Sequence, residues 1–458
     1  MRKFIVLSVA FVSILAAAAL TRGISPDAGT SGRSADSRPS GADGGGKLIV
    51  HEWGTFTTFS GSDGLFMDFR PLATEHSDLP AYVLDRGSYS NLPLFTKNRV
   101  WGRVRMETPV TYFYTDRIRS VDVRVDFPEG LLTEFYPPVK SMQPSIDEQN
   151  LYGKGELIGN SSLNWGRVDL IPIDQLMPHV SDKNLRGELL DGLVRGLLPT
   201  GPNEQHYAHA RETDSALVHV RNPVGRSRPE AGYFEKFLFY RGVGKFTLPV
   251  SAHYDSSAVI FKNAGELPIQ TAILIEVDGQ EIRATKLDRL APMQSKAFNP
   301  LEPMTESGLA ELLQQSLVAE GLYEKEAASM VKTWQESWFT ENGTRVLYLV
   351  PPALTDRLLP LHVTPHPQES LRVLVGRMEI MSPDAEHAML SAVAESAVNR
   401  ELHTATLKSK TTTDPYPVPD AIRGFGRMTE PALVRVAKIT TTAAVRHEAE
   451  TLLKQLRQ

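Results

Sequence analysis

The 458-residue chain has no cysteine. That one absence removes the thiol nucleophile, cysteine-ligated zinc and iron–sulfur sites, any disulfide framework, and the lipidated cysteine of a bacterial lipoprotein. Several signatures are also missing: the G-x-S-x-G elbow of an α/β-hydrolase, H-E-x-x-H of the zinc peptidases, and a Rossmann glycine fingerprint after a strand. Gly41 to Lys47 follows the spacing of a phosphate-binding loop, but Leu48 stands where Ser or Thr would hold magnesium and no strand precedes it. Basic excess is lacking too. The formal net charge is -5, which argues against a nucleic-acid partner. With 41% hydrophobic and 22% charged residues, the chain has what a globular core requires.

One long apolar run is present, Phe4 to Leu20, after Arg2 and Lys3 and ending in small residues. This is the pattern of a secretory signal peptide over residues 1–22, with an uncleaved N-terminal anchor as the alternative. Export without disulfides fits a bacterial envelope, periplasmic or extracellular. Membrane contact is expected only through that segment. Residues 23–46, rich in Gly, Ser, Asp and Ala, read as a disordered linker.

From Lys47 the texture is that of strands. Val121, Val123, Val125 and Phe127 alternate with charged residues, and Asp278-Gly279 sits between two β-rich runs as a tight hairpin turn. The expected fold is α+β and β-rich. Antiparallel, sandwich-like sheets are expected in the N-terminal two thirds, and helices with a few strands in the C-terminal third. The organisation read from texture is a β-rich region at 47–300, an α+β region at 301–410, and a proline-rich break with a C-terminal helix at 411–458. Two helices stand out after Pro300. One is capped by Thr305 and ends at Gly321; the other carries Ala327, Met330, Val331, Trp334 and Trp338 on a single stripe.

Candidate chemistry clusters in two places. In KLIVHEWGTFTTFS, His51 and Glu52 are adjacent, so a strand sends them to opposite faces and they cannot share an ion. His76 and Glu107 are the residues that could join His51 at a strand end. In QHYAHARETD, His206, His209 and Glu212 are spaced by three, with Arg211 and Asp214 beside them. On a helix the three would span roughly 120° of surface. Either they hold a divalent metal loosely, or Arg211 builds an ion-pair network with Asp214 or a distant carboxylate. Metal candidates are therefore His51, His206, His209 and Glu212, and no cofactor is otherwise implied. His362 and His366, among prolines, read as loop histidines facing solvent. The basic stretch from Lys97 to Arg124 reads as a solvated sheet face.

HEWGTFT, METPVTYFYTDR, EKFLFYRGVGKF and GLYEKEAASMVKTWQESWF together resemble a family of exported bacterial proteins without an assigned function. The resemblance spans most of residues 47–380. It implies a bacterial source and export, and it carries no catalytic or binding residue with it. Two functional classes follow from the residues. One is a non-enzymatic β-sandwich protein binding an envelope polymer or protein partner. The other is an exported hydrolase, with metal dependence as an option, using some of His51, His76, Glu107, His206 and Glu212.

Overall fold

The computed structural model describes residues 46–70, 79–86, 100–144, 159–177, 183–221, 232–408 and 416–456, excepting the side chains of 183–185, 205–206 and 407–408. The apolar run Phe4 to Leu20, linker residues 23–45 and His76 lie outside them. The first strands are β1 (Leu48–Ser60), β2 (Leu84–Asp85), β3 (Val104–Thr115), β4 (Arg119–Phe127), β5 (Gly130–Tyr136), β6 (Ser141–Gln143) and β7 (Ser161–Ile171). Helices α1 (Lys183–Leu197) and α2 (Gln205–His209) follow. Next come β8 (Leu217–Val220), β9 (Tyr233–Glu235), β10 (Leu238–Gly244), β11 (Val250–Asp255) and β12 (Ala258–Asn263). Strands β13 (Ile269–Asp278), β14 (Glu281–Leu290), β15 (Ser295–Ala297) and β16 (Glu302–Pro303) complete this half.

The remainder alternates helix and strand: α3 (Glu306–Ala319), α4 (Glu324–Phe339), β17 (Gly343–Val350), α5 (Pro352–Leu358), β18 (Leu361–Thr364) and β19 (Glu369–Ile380). Helices α6 (Pro383–Lys408), α7 (Asp420–Arg423), α8 (Thr429–Ile439) and α9 (Ala443–Gln455) close it. The fold is α+β and β-rich, with its helices concentrated toward the C-terminus. The texture change near Pro300 is not an edge of the main sheet. That ten-stranded sheet runs β16-β14-β13-β17-β19-β1-β3-β10-β5-β2, so β17 and β19 lie in its centre. β19 pairs with β1 in parallel, bringing residues more than 300 positions apart into register. Leu361–Thr364, expected as loop, pairs antiparallel with β4. His362 is still exposed there, 3.0 Å from Asp126.

Strand β1 is buried along all thirteen residues because both of its faces are covered. Val50 and Phe56 enter a core shared with Val123 and Phe127 of β4, Trp165 of β7 and Phe261 of β12. There the large sheet packs on a six-stranded and a three-stranded sheet, giving the sandwich. Trp53 enters a second core with Leu313 of α3 and Met330 and Trp338 of α4. Phe59 enters a third, formed with Val393 of α6, Leu433 of α8 and Leu452 of α9. One strand thus anchors three cores. Truncating any of these aromatics to Ala would cost roughly 3–5 kcal/mol.

Gly54 is explained by close approach. The β1–β3 register shifts between Trp53 and Thr55, opposite Thr108 with φ 44° and Pro109. A Cβ on Gly54 would press on the Pro109 backbone at 2.9 Å. The helix signals read from sequence also hold: the Thr305 hydroxyl accepts from the Gly308 amide, and Gly321 has φ 108°.

Candidate functional site

Alternation along β1 separates its two central polar residues. Glu52 faces the sandwich core, where the hydroxyls of Thr111 and Tyr240 donate to Oε1 at 2.8 and 2.6 Å. Arg372 of β19 donates to Oε2 at 2.7 Å from Nε, with Nη2 at 2.6 Å. Glu52 and Arg372 are buried, so this network is a closed structural joint between β1, β3, β10 and β19.

His51 faces the helices. Its Nδ1 lies 2.8 Å from Oε2 of Glu326, and both side chains are fully buried. Glu326 is the third residue of α4, where a carboxylate also caps the helix. The Tyr323 amide donates to Oε2 at 2.8 Å, and the Tyr114 hydroxyl donates to Oε1 at 2.7 Å. This carboxylate fixes the orientation of the imidazole through Nδ1. Nε2 faces Glu369 Oε1 at 3.6 Å. The rings of Tyr114 and Tyr323 close over the imidazole, with centroids 5.6 and 4.5 Å away. Burial and then the Glu326 charge push the Tyr114 pKa well above its ordinary value.

Outside these two tyrosines opens a cleft of about 1120 Å³. Its walls include Leu190 and Val194 of α1 and Leu198 beyond it, facing Asp214 and Lys236. The Lys236 side chain is almost wholly buried, and its Nζ donates to the Thr213 carbonyl at 2.9 Å. Burial, with the nearby Lys325 charge adding to it, depresses its pKa to about 8, although Asp214 and Glu235 oppose the shift. Next to it Arg211 grips the buried Glu235 with Nε at 3.0 Å and Nη2 at 2.8 Å. Nη2 also reaches the Tyr82 hydroxyl and the Pro199 carbonyl. The pair keeps Arg211 firmly protonated despite its burial.

The residues singled out by sequence fall into separate places. Arg211 pairs with the distant Glu235 rather than with Asp214. Asp214 reaches Lys325 at 2.6 Å, and Glu212 contacts both His209, at 2.8 Å, and Lys332. QHYAHARETD is therefore largely a clamp on α4. The backbone of His206 belongs to α2, and its side chain is outside the description. Glu107 sits in a third network with Thr57 and Arg105. Arg105 is mostly buried there, which departs from the solvated face expected of the basic stretch. Among the described residues no three His, Asp or Glu are grouped to hold a metal ion.

Sequence reading passed over Glu326, Tyr114, Tyr323, Glu235 and Lys236. A trace of the first was available: Tyr323 and Glu326 have capping-box spacing, and an acid beside Ala327 on an apolar stripe requires a buried partner. Nothing local announced that the partner is His51, 275 residues away.

No family model and no curated protein matches the chain. Among solved structures it has distant likeness to mu-homology domains. The Fcho1 domain of Danio rerio with bound Eps15 peptide aligns at TM-score 0.27 and 8% identity, covering 73% of this chain and 97% of that one. The yeast delta-COP-I domain aligns at TM-score 0.23 and 9% identity, covering 73% and 95%. Its complex with a Dsl1 WxWxV peptide gives 0.23, 8%, 73% and 96%. Among the described residues no helix is long and apolar enough to cross a membrane.

Proposed function

We propose that this is an exported bacterial envelope protein that binds an envelope polymer, a glycan in the first place, without transforming it. The binding site is the cleft over Tyr114 and Tyr323. The observation that carries this reading is the dispersal of the acid–base side chains into separate closed networks beside a large cleft with aromatic and aliphatic walls. Sugar rings stack on such tyrosines, and Asp214 at the cleft can accept from their hydroxyls. Co-sedimentation with purified envelope glycan tests it. The intact chain should pellet saturably, and Tyr323→Ala should weaken binding about tenfold while leaving the far-ultraviolet dichroism unchanged. Equal binding by both proteins, or none by the intact chain, would remove the proposal.

The second reading, an exported hydrolase, rests on His51. Glu326 holds its ring by Nδ1, and Nε2 makes no hydrogen bond among the described residues, which is the orientation a general base requires. Tyr323, which is partly exposed, would have to swing aside for a substrate to reach it. Glycan turnover abolished in His51→Gln, with binding retained, would favour this reading over the first.

A further inference from the structure

A buried amine stands in the wall of the tyrosine cleft without an acid to neutralise it. Lys236 occupies the two-residue link between β9 and β10 and is 3% exposed. Its backbone is held on both sides. The Lys236 amide donates to Glu235 Oε1 at 2.8 Å, and its carbonyl accepts from the Ser215 hydroxyl at 2.9 Å. Nζ donates to the Thr213 carbonyl at 2.9 Å, and Thr213, Asp214 and Lys236 all line the cleft. The amine is therefore placed by a fixed backbone and anchored against a residue of the same wall.

The acids around it are engaged elsewhere. Asp214 and Glu235, whose charges most favour the protonated amine, pair with Lys325 at 2.6 Å and with Arg211 at 2.8 Å. Among the described residues no carboxylate lies within ion-pair distance of Nζ. A protonated amine buried in this way is costly, and an apolar side chain of the same length would fill the space without that cost. Burial accordingly lowers its pKa from 10.5 to about 8. At pH 7 roughly a tenth of such an amine is neutral, against a few in ten thousand for an ordinary lysine. The wall beside it is apolar, with Leu190, Val194 and Leu198. A desolvated lysine at the edge of an apolar space is the form that attacks carbonyl carbon.

We propose that Lys236 is a covalent capture site for an aldehyde, the open-chain form of a sugar included, which it holds as an imine. The lone pair of the neutral nitrogen adds to the carbonyl carbon, and the π pair of the C=O bond moves to oxygen. Two protons pass through solvent from nitrogen to that oxygen. The C–O bond then breaks, water leaves, and the C=N bond forms. Nothing is oxidised or reduced. Water reverses the step and frees the ligand, as a binding site requires, whereas an acyl donor would block the residue for good. This capture shares the cleft with the glycan reading, uses neither of its tyrosines, and stands without it.

Limiting acetaldehyde with cyanoborohydride, applied to the intact chain at pH 7, is the test. The reductant turns an imine into a stable ethylamine, and mass spectrometry of proteolytic peptides locates it. Lys236 should be ethylated about tenfold or more faster than Lys245 and Lys262, which are exposed, because far more of its amine is neutral. The preference should vanish in urea that unfolds the chain. A Lys236 rate at or below that of the two reference lysines overturns the inference, as does a preference that survives unfolding. Val194→Trp, which narrows the cleft, should slow Lys236 several-fold and leave the reference lysines alone. An unchanged Lys236 rate in that variant overturns the cleft as the capture site. If Val194→Trp alters the circular dichroism, Leu198→Trp on the same wall carries this arm with the same two outcomes. Glycan co-sedimentation is scored separately, so either reading can fail while the other stands.

Discussion

Replacing Arg372 by Met isolates the electrostatic joint between the first and last strands of the main sheet. Methionine approximates the aliphatic stem, so β19 keeps its packing while Glu52 loses its cation. In the intact chain Glu52 accepts from Thr111, Tyr240 and Arg372, and it has no exposure to water. Arg372 also donates to the Leu359 carbonyl at 2.5 Å, which would be left without that donor. Its contact with Asp356 adds little, because that carboxylate is mostly exposed. Two hydroxyls cannot replace a guanidinium around a buried carboxylate, so the loss should be about 3–5 kcal/mol. Adding Glu52→Gln removes the stranded charge while keeping an acceptor for both hydroxyls. The double variant should therefore be more stable than Arg372→Met, with a coupling of about 2 kcal/mol. Urea titration followed by far-ultraviolet dichroism at pH 7 reads both quantities. A loss under about 1 kcal/mol for Arg372→Met would refute the joint. So would strict additivity of the two substitutions.

Acid should weaken the fold through Glu379. Burial alone would raise its pKa, but Arg345, Arg377 and Arg427 depress it from 4.5 to about 2. Its stabilising contribution of about 3 kcal/mol is complete above the unfolded value and is lost as pH falls from there toward 2. Melting temperatures measured between pH 5 and 2 should fall more steeply for the intact chain than for Glu379→Gln; parallel curves would contradict this. Lys236 works in the opposite sense. Its folded pKa is depressed to about 8 from 10.5, so its buried charge destabilises fully below pH 8, less as pH rises, and not above the unfolded value. Lys236→Met should stabilise the protein by about 2 kcal/mol at pH 7, after allowing about 1 kcal/mol for the lost bond to the Thr213 carbonyl, with no gain at pH 10.5. A gain independent of pH would point to packing instead.

Much of the fold was legible because its signals are local. Alternation over Val121–Phe127, the Asp278-Gly279 turn, the Thr305 cap and the stripe through Trp338 each depend on a few neighbouring residues. The short helix Pro352–Leu358 and the strand at His362 were not legible, since both are fixed by what they pack on. The candidate site was half legible. His51 was correctly sent away from Glu52, because side chains on a strand alternate whatever surrounds it. Its real partners, Glu326, Tyr114 and Tyr323, come from two other elements that the strand order brings together.

The sequence by itself determined that His51 and Glu52 lie on opposite faces of one strand, that thiol chemistry is absent, and that the helices gather toward the C-terminus. Only the tertiary structure decided that β19 pairs with β1, that the strand Leu48–Ser60 reaches three cores, and that His51 meets Glu326. The reason is physical. Periodicity and turn chemistry act over a few residues and leave a mark in the sequence, whereas sheet order joins residues hundreds of positions apart through backbone hydrogen bonds that every residue type can make.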